Sequence, residues 1–143
     1  MESLPEKIPL VKIDPEGVYK YVQISYNNKI YLRGRADCKF HKGIYKKFKT
    51  ELKNIGKSDA NTKCLGGGRI KKDEKNKTIF VYGYSNAYGR YENQHEKSVE
   101  MLKEVFPDYK ITCSNEGYWL YIYVNIKQIF NYRNYKIFNF YKF

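Results

Sequence analysis

His41 and His95 are the only histidines of this 143-residue chain. An imidazole is the side chain that exchanges protons near neutral pH. His41 is the better placed, in the first turn of an expected helix, where free N–H groups and the helix dipole favour an anion. Taken alone, a single histidine at a helix start is more often inert than catalytic. Cys64 and Arg69 enclose four residues, one short of the loop that wraps a phosphate beneath a catalytic thiolate. Gly83-Tyr84-Ser85-Asn86-Ala87 opens like a nucleophile elbow but closes on Ala where Gly is needed. Gly66-Gly67-Gly68-Arg69 lacks the Gly-Lys-Ser/Thr close of a P-loop. No spacing of His, Cys and carboxylates marks a metal site, so metal-free chemistry without a cofactor is expected. The cations Lys20, Arg33 and Arg69 lie on or beside expected strands, and the amides of the Ser85–Gly89 loop can form an anion nest. Each is weak by itself. With His41 they make a set suited to a phosphoryl group.

These residues need elements to hold them. Val18, Val22 and Ile24 share one face of a strand under period-2 alternation, with Lys20 among them. Its stem would lie on the core with the ammonium reaching out, or turn to a ligand. Asn27-Asn28 is a two-residue hairpin turn, because Asn tolerates positive φ, and the return strand runs from Lys29 to Gly34. Asp37 is the expected N-cap of a helix whose apolar residues Phe40, Ile44, Phe48 and Leu52 recur every four positions, with Gly56 as its stop. Strands are expected over Lys63–Lys72, Thr78–Tyr84 and Tyr109–Ser114, and a second helix carries Val99, Leu102, Val105 and Phe106 up to Pro107. The order β-β-α-β-β-α-β predicts a single α+β domain, a mixed central sheet flanked by two helices. Residues 1–16 read as a loose lead-in that ends in the turn Asp14-Pro15-Glu16-Gly17.

Composition narrows the partners. Lys+Arg 27 against Asp+Glu 15 gives a net charge of +12, which attracts anions of any kind. Hydrophobic residues at 42% are enough for a core. From Tyr118 onward, 26 residues carry 11 of the chain's aromatics and four Lys/Arg but no acid. The aromatic excess therefore belongs to the tail, while lysines spread along the body as on an ordinary solvated face. Nucleic-acid binding, which would join basic residues to stacking platforms, is for that reason the weaker reading, and no obligatory nucleic acid is expected. Cys38, Cys64 and Cys113 are odd in number and lack a C-x-x-C pair, as for reduced thiols in the cytoplasm. Met1 to Leu10 has no apolar run of the signal-peptide kind. No stretch is apolar enough for a membrane span.

Six blocks, in order, carry a resemblance. They are Gly17-Val18-Tyr19-Lys20-Tyr21-Val22; Arg33-Gly34 with His41 eight residues after Arg33; Cys64-Leu65-Gly66-Gly67-Gly68-Arg69-Ile70; Val81-Tyr82-Gly83-Tyr84-Ser85-Asn86-Ala87-Tyr88-Gly89; Pro107-Asp108-Tyr109; and Asn115-Glu116-Gly117-Tyr118. Over about residues 10–118 the chain resembles the small phosphohistidine phosphatase (Janus) family. The resemblance implies a metal-free enzyme that hydrolyses phosphohistidine on proteins, with phospholysine as a second candidate substrate. It makes His41 the essential histidine, as a general base on water or as a direct nucleophile. Lys20 becomes the substrate-binding lysine and Ser85, Asn86 and Ala87 the phosphate loop. Apart from the resemblance, Arg33, Arg69 and Tyr84 are expected as further substrate contacts. Asn86 stands where the family commonly has Met. The family-like domain is expected over 17–118, as a monomer, with 119–143 an aromatic, basic extension outside the family fold. A phosphate-reading module without turnover is the alternative.

Overall fold

The computed structural model describes residues 8–116. The expected extension over 119–143 lies outside the described residues, as do Gly117 and Tyr118. The elements are β1 (Val11–Ile13), β2 (Gly17–Tyr26), β3 (Lys29–Arg35), α1 (His41–Asn54), β4 (Thr62–Asp73), β5 (Thr78–Tyr82), α2 (Gln94–Val105) and β6 (Lys110–Cys113). They form one six-stranded sheet in the order β1-β3-β2-β4-β5-β6. The four central strands run antiparallel to one another, and the edge strands β1 and β6 add in parallel to β3 and β5. This is the expected α+β architecture.

Strand alternation decides which helix covers which face. Val22 and Ile24 of β2 pack with Tyr31 against Ile44, Phe48 and Leu52 of α1. Tyr19 and Tyr21, from the alternate positions, pack with Leu32, Ile70 and Val81 against Val99 and Leu102 of α2. Each fully buried Leu, Ile or Phe contributes about 1.5–3 kcal/mol, so the two apolar faces fix both helices on the sheet.

Local turn chemistry behaves as its residues dictate. Asn27 and Asn28 take φ of 49° and 61°, the left-handed pair of a tight hairpin. Gly56 at φ 75° ends α1, its N–H donating to the Lys53 carbonyl while the Lys57 N–H donates to that of Leu52. That is a Schellman closure.

Two expectations are corrected. Val11–Ile13, inside the expected lead-in, is a strand paired in parallel with β3. Three residues carry no readable periodicity, and long-range contacts recruit them: the Arg33 guanidinium donates to the carbonyls of Pro9 and Leu10. Nor does Asp37 cap α1. Its carboxylate takes two 2.8 Å bonds from Arg35, a bidentate ionic pair stronger than a neutral cap bond. The N-cap is Phe40, which makes no side-chain cap bond, and the first turn holds no acidic residue. The amides at the head of α1 thus lack a capping side chain.

Candidate active site

The site is built around a strand of glycines. In β4, Gly66 pairs with Gln23, Gly67 with Val22 and Gly68 with Tyr21, so the three point to alternate faces. A Cβ at Gly67 would stand 2.6 Å from His41 Cδ2 and 2.9 Å from Ser85 Cβ. A Cβ at Gly68 would stand 2.7 Å from His95 Cε1 on the other face, and one at Gly66 would collide with Gln94. Real Cβ atoms do not approach so closely. The run is glycine because two helix heads and a loop press on the strand from both sides.

His41 is the first residue of α1 and is 7% exposed. Its Nε2 lies 2.9 Å from the Gly68 carbonyl oxygen. A carbonyl can only accept, so Nε2 carries the proton and Nδ1 is the ring's basic nitrogen. Burial holds the imidazole below the ordinary histidine range. The bond to Gly68 opposes that shift, and the nearby charges of Lys20 and Arg69 reinforce it. These shifts favour the neutral imidazole, held in orientation by the Gly68 carbonyl.

A cavity of about 400 Å³ opens over it, lined by Lys20, Phe40, His41, Lys42, Arg69, Tyr84, Ser85, Asn86 and Ala87. Among the described residues, three cations and no acid line the space. Lys20 and Arg69 are direct cross-strand partners, and the Lys20 ammonium is held 2.5 Å from the Lys39 carbonyl at the approach to α1. Two cations side by side on a sheet favour an anion near them. Ser85 is 1% exposed. Its oxygen accepts from the amides of Ala87 (3.2 Å) and Tyr88 (3.0 Å), and its backbone closes on Gly89 through a 2.7 Å bond. The nest is therefore narrower than the sequence suggests. The Ala87 and Tyr88 amides are spent within the loop, while that of Asn86 has no acceptor among the described residues.

Seven of the eight expected site residues meet in this cavity. Arg33 does not. It is 4% exposed, pairs with the Glu51 carboxylate at 3.1 Å, and lines a different groove between β3 and α1. The Cys64 thiol is pushed up to about 12 by burial, which leaves it a poor nucleophile. Among the described residues no group of three or more His, Cys, Asp or Glu could hold a metal ion.

A supporting network escapes sequence reading. His95 Nε2 donates to the Gly83 carbonyl (2.7 Å), so its Nδ1 accepts from Tyr21 Oη (2.5 Å). Gln94 Nε2 donates to Tyr21 Oη and to the Gly67 carbonyl, and Gln23 Nε2 donates to Ser98 Oγ. These buried bonds pin the head of α2 to the reverse of the glycine strand. The only signal of them in the sequence was polar side chains at positions of the sheet's inner face.

A small α+β domain with a buried imidazole beneath a cavity that Lys20, Lys42 and Arg69 line is suited to an oxyanion. The chain belongs to the Janus/Ocnus family, whose sequence model matches residues 5–110. It is 38% identical over 122 residues to the sex-regulated protein janus-A of Drosophila pseudoobscura pseudoobscura, covering 78% of each chain. It is 39% identical to the 14 kDa phosphohistidine phosphatases of Homo sapiens, over 122 residues, and Sus scrofa, over 123. Those matches cover 78% of this chain and 94% of each relative.

Proposed function

We propose that the protein is a metal-independent phosphohistidine phosphatase in which His41 is the general base. The observation that carries this is the Nε2 bond of His41 to the Gly68 carbonyl beneath a cavity lined by Lys20, Lys42 and Arg69. That bond leaves a basic nitrogen in a field that binds a phosphoryl dianion. The names of the human and pig relatives support the reading. Lys20, Arg69 and the Asn86 amide neutralise the phosphoryl oxygens, a preorganised electrostatic contribution. His41 Nδ1 takes a proton from water, whose oxygen attacks phosphorus in line with the P–N bond. The P–O bond forms as the P–N bond breaks. The electron pair leaves on the imidazole nitrogen, and the imidazole departs neutral when its other nitrogen is already protonated. His41 then returns its proton to solvent. The chain acts on phosphohistidine-bearing proteins as a cytoplasmic monomer, without nucleic acid.

The test is phosphate release from a phosphohistidine peptide with chelator present. His41→Ala should lower kcat/KM by at least about 10²-fold, the lower bound for losing a general base, while its unfolding midpoint shows that the fold persists. Near-normal turnover would overturn the assignment. Phosphopeptide binding without release in the wild type would make the protein a reader of phosphate. An acid-labile phosphoryl label on His41 in rapid quench would make the histidine a nucleophile and keep the phosphatase reading.

A further inference from the structure

The two buried residues at the cavity floor are each preceded by an exposed aromatic one. Phe40, before His41, is 62% exposed, and Tyr84, before Ser85, is 49% exposed; both line the same cavity. The pattern follows from backbone geometry. His41 and Ser85 both press on Gly67, so their chain neighbours are directed away from the strand, toward the mouth. Large exposed rings cost apolar hydration, and among the described residues Phe40 and Tyr84 are the aromatic ones so exposed. The Phe40 ring is flanked by the ammonium groups of Lys20 and Lys39, at 5.6 and 5.5 Å from its centroid.

We propose that Phe40 and Tyr84 form the subsite for the leaving imidazole and so select an aromatic P–N substrate. This rests on the phosphatase reading. In-line displacement sets the leaving group on the side of phosphorus opposite the attacking water. A water activated by His41 lies at the floor, so the departing ring lies at the mouth, where these two side chains stand. Ring contacts favour another flat ring. An aliphatic amine or a bare amide nitrogen offers no ring face to stack.

The experiment compares kcat/KM for a phosphohistidine peptide and for phosphoramidate, a P–N substrate without a ring, in the wild type, Phe40→Leu, Tyr84→Leu and Tyr84→Phe. The readout is the ratio of the two values, from which any unfolded fraction cancels. We expect each Leu variant to lower the ratio about three- to tenfold and Tyr84→Phe to keep it within twofold of wild type. An unchanged ratio in both Leu variants overturns the subsite and leaves the phosphatase intact. Failure of the wild type to release phosphate from either substrate overturns both readings together.

Discussion

At the scale of the residue, the candidate site sets two cations side by side, Lys20 of β2 directly across from Arg69 of β4. In the proposed function the pair clamps a dianion. The same charges act on His41, because each disfavours the imidazolium. Removing one raises the His41 pKa toward the ordinary value. Lys20→Ala should therefore move the acidic limb of the kcat/KM profile to higher pH, in addition to weakening substrate binding through KM. Profiles measured from pH 5 to 8 check this. A limb that stays in place or moves to lower pH would mean that Lys20 does not sense the imidazole. Lys20 itself was legible early, since a lysine among apolar strand residues needs a reason. Arg33 shares the α1-covered face of the sheet with Lys20, but it stands on β3 across from Val22, where the Glu51 carboxylate of α1 holds it in structural use.

At the scale of the element, β4 is a thin wall between two helix heads. Its glycines permit His41 on one face and Gln94 with His95 on the other, so the candidate site and the buried α2 network share a few ångströms of backbone. Gly67→Ala should push the imidazole off the Gly68 carbonyl. Overpacking of this kind costs about 1–3 kcal/mol, and a displaced base costs rate beyond that. The expected result is a moderate drop in the urea midpoint with a kcat loss of at least about tenfold, as for a misplaced catalytic group. Wild-type kcat in Gly67→Ala would show that the wall has slack. The three glycines in a row were visible in sequence as a mark of close backbone approach. What approaches them was not, because His41 and His95 come from segments distant in the chain.

At the scale of the whole molecule, two neutral histidines tie the domain to pH. Burial lowers the pKa of both His41 and His95. The unfolded chain then binds more protons than the folded one once pH falls below about 6.5, and stability falls with it. The slope is at most about 1.4 kcal/mol per pH unit for each histidine. It acts above the range of the lowered carboxylates Asp73 and Asp108. Urea midpoints should therefore be lower at pH 5.5 than at pH 7.5, and equal midpoints would contradict the buried neutral state. We further propose that the family-like domain ends by Tyr118 and that 119–143 is an addition to it. At the other end, Val11–Ile13 and the carbonyls of Pro9 and Leu10 are joined to β3, which places them with the sheet.

The sequence by itself determined the two helices, the hairpin at Asn27-Asn28, five of the six strands and the candidate His41, because periodicity, turn residues and spacing are local properties of the chain. Only the tertiary structure decided that the buried His41 imidazole turns Nε2 to the Gly68 carbonyl, that Arg33 faces Glu51, and that Phe40 and Tyr84 line one cavity. Those outcomes depend on which carbonyl, carboxylate or ring is brought within a few ångströms by strands and helices far apart in the chain, and no local pattern encodes such a distance.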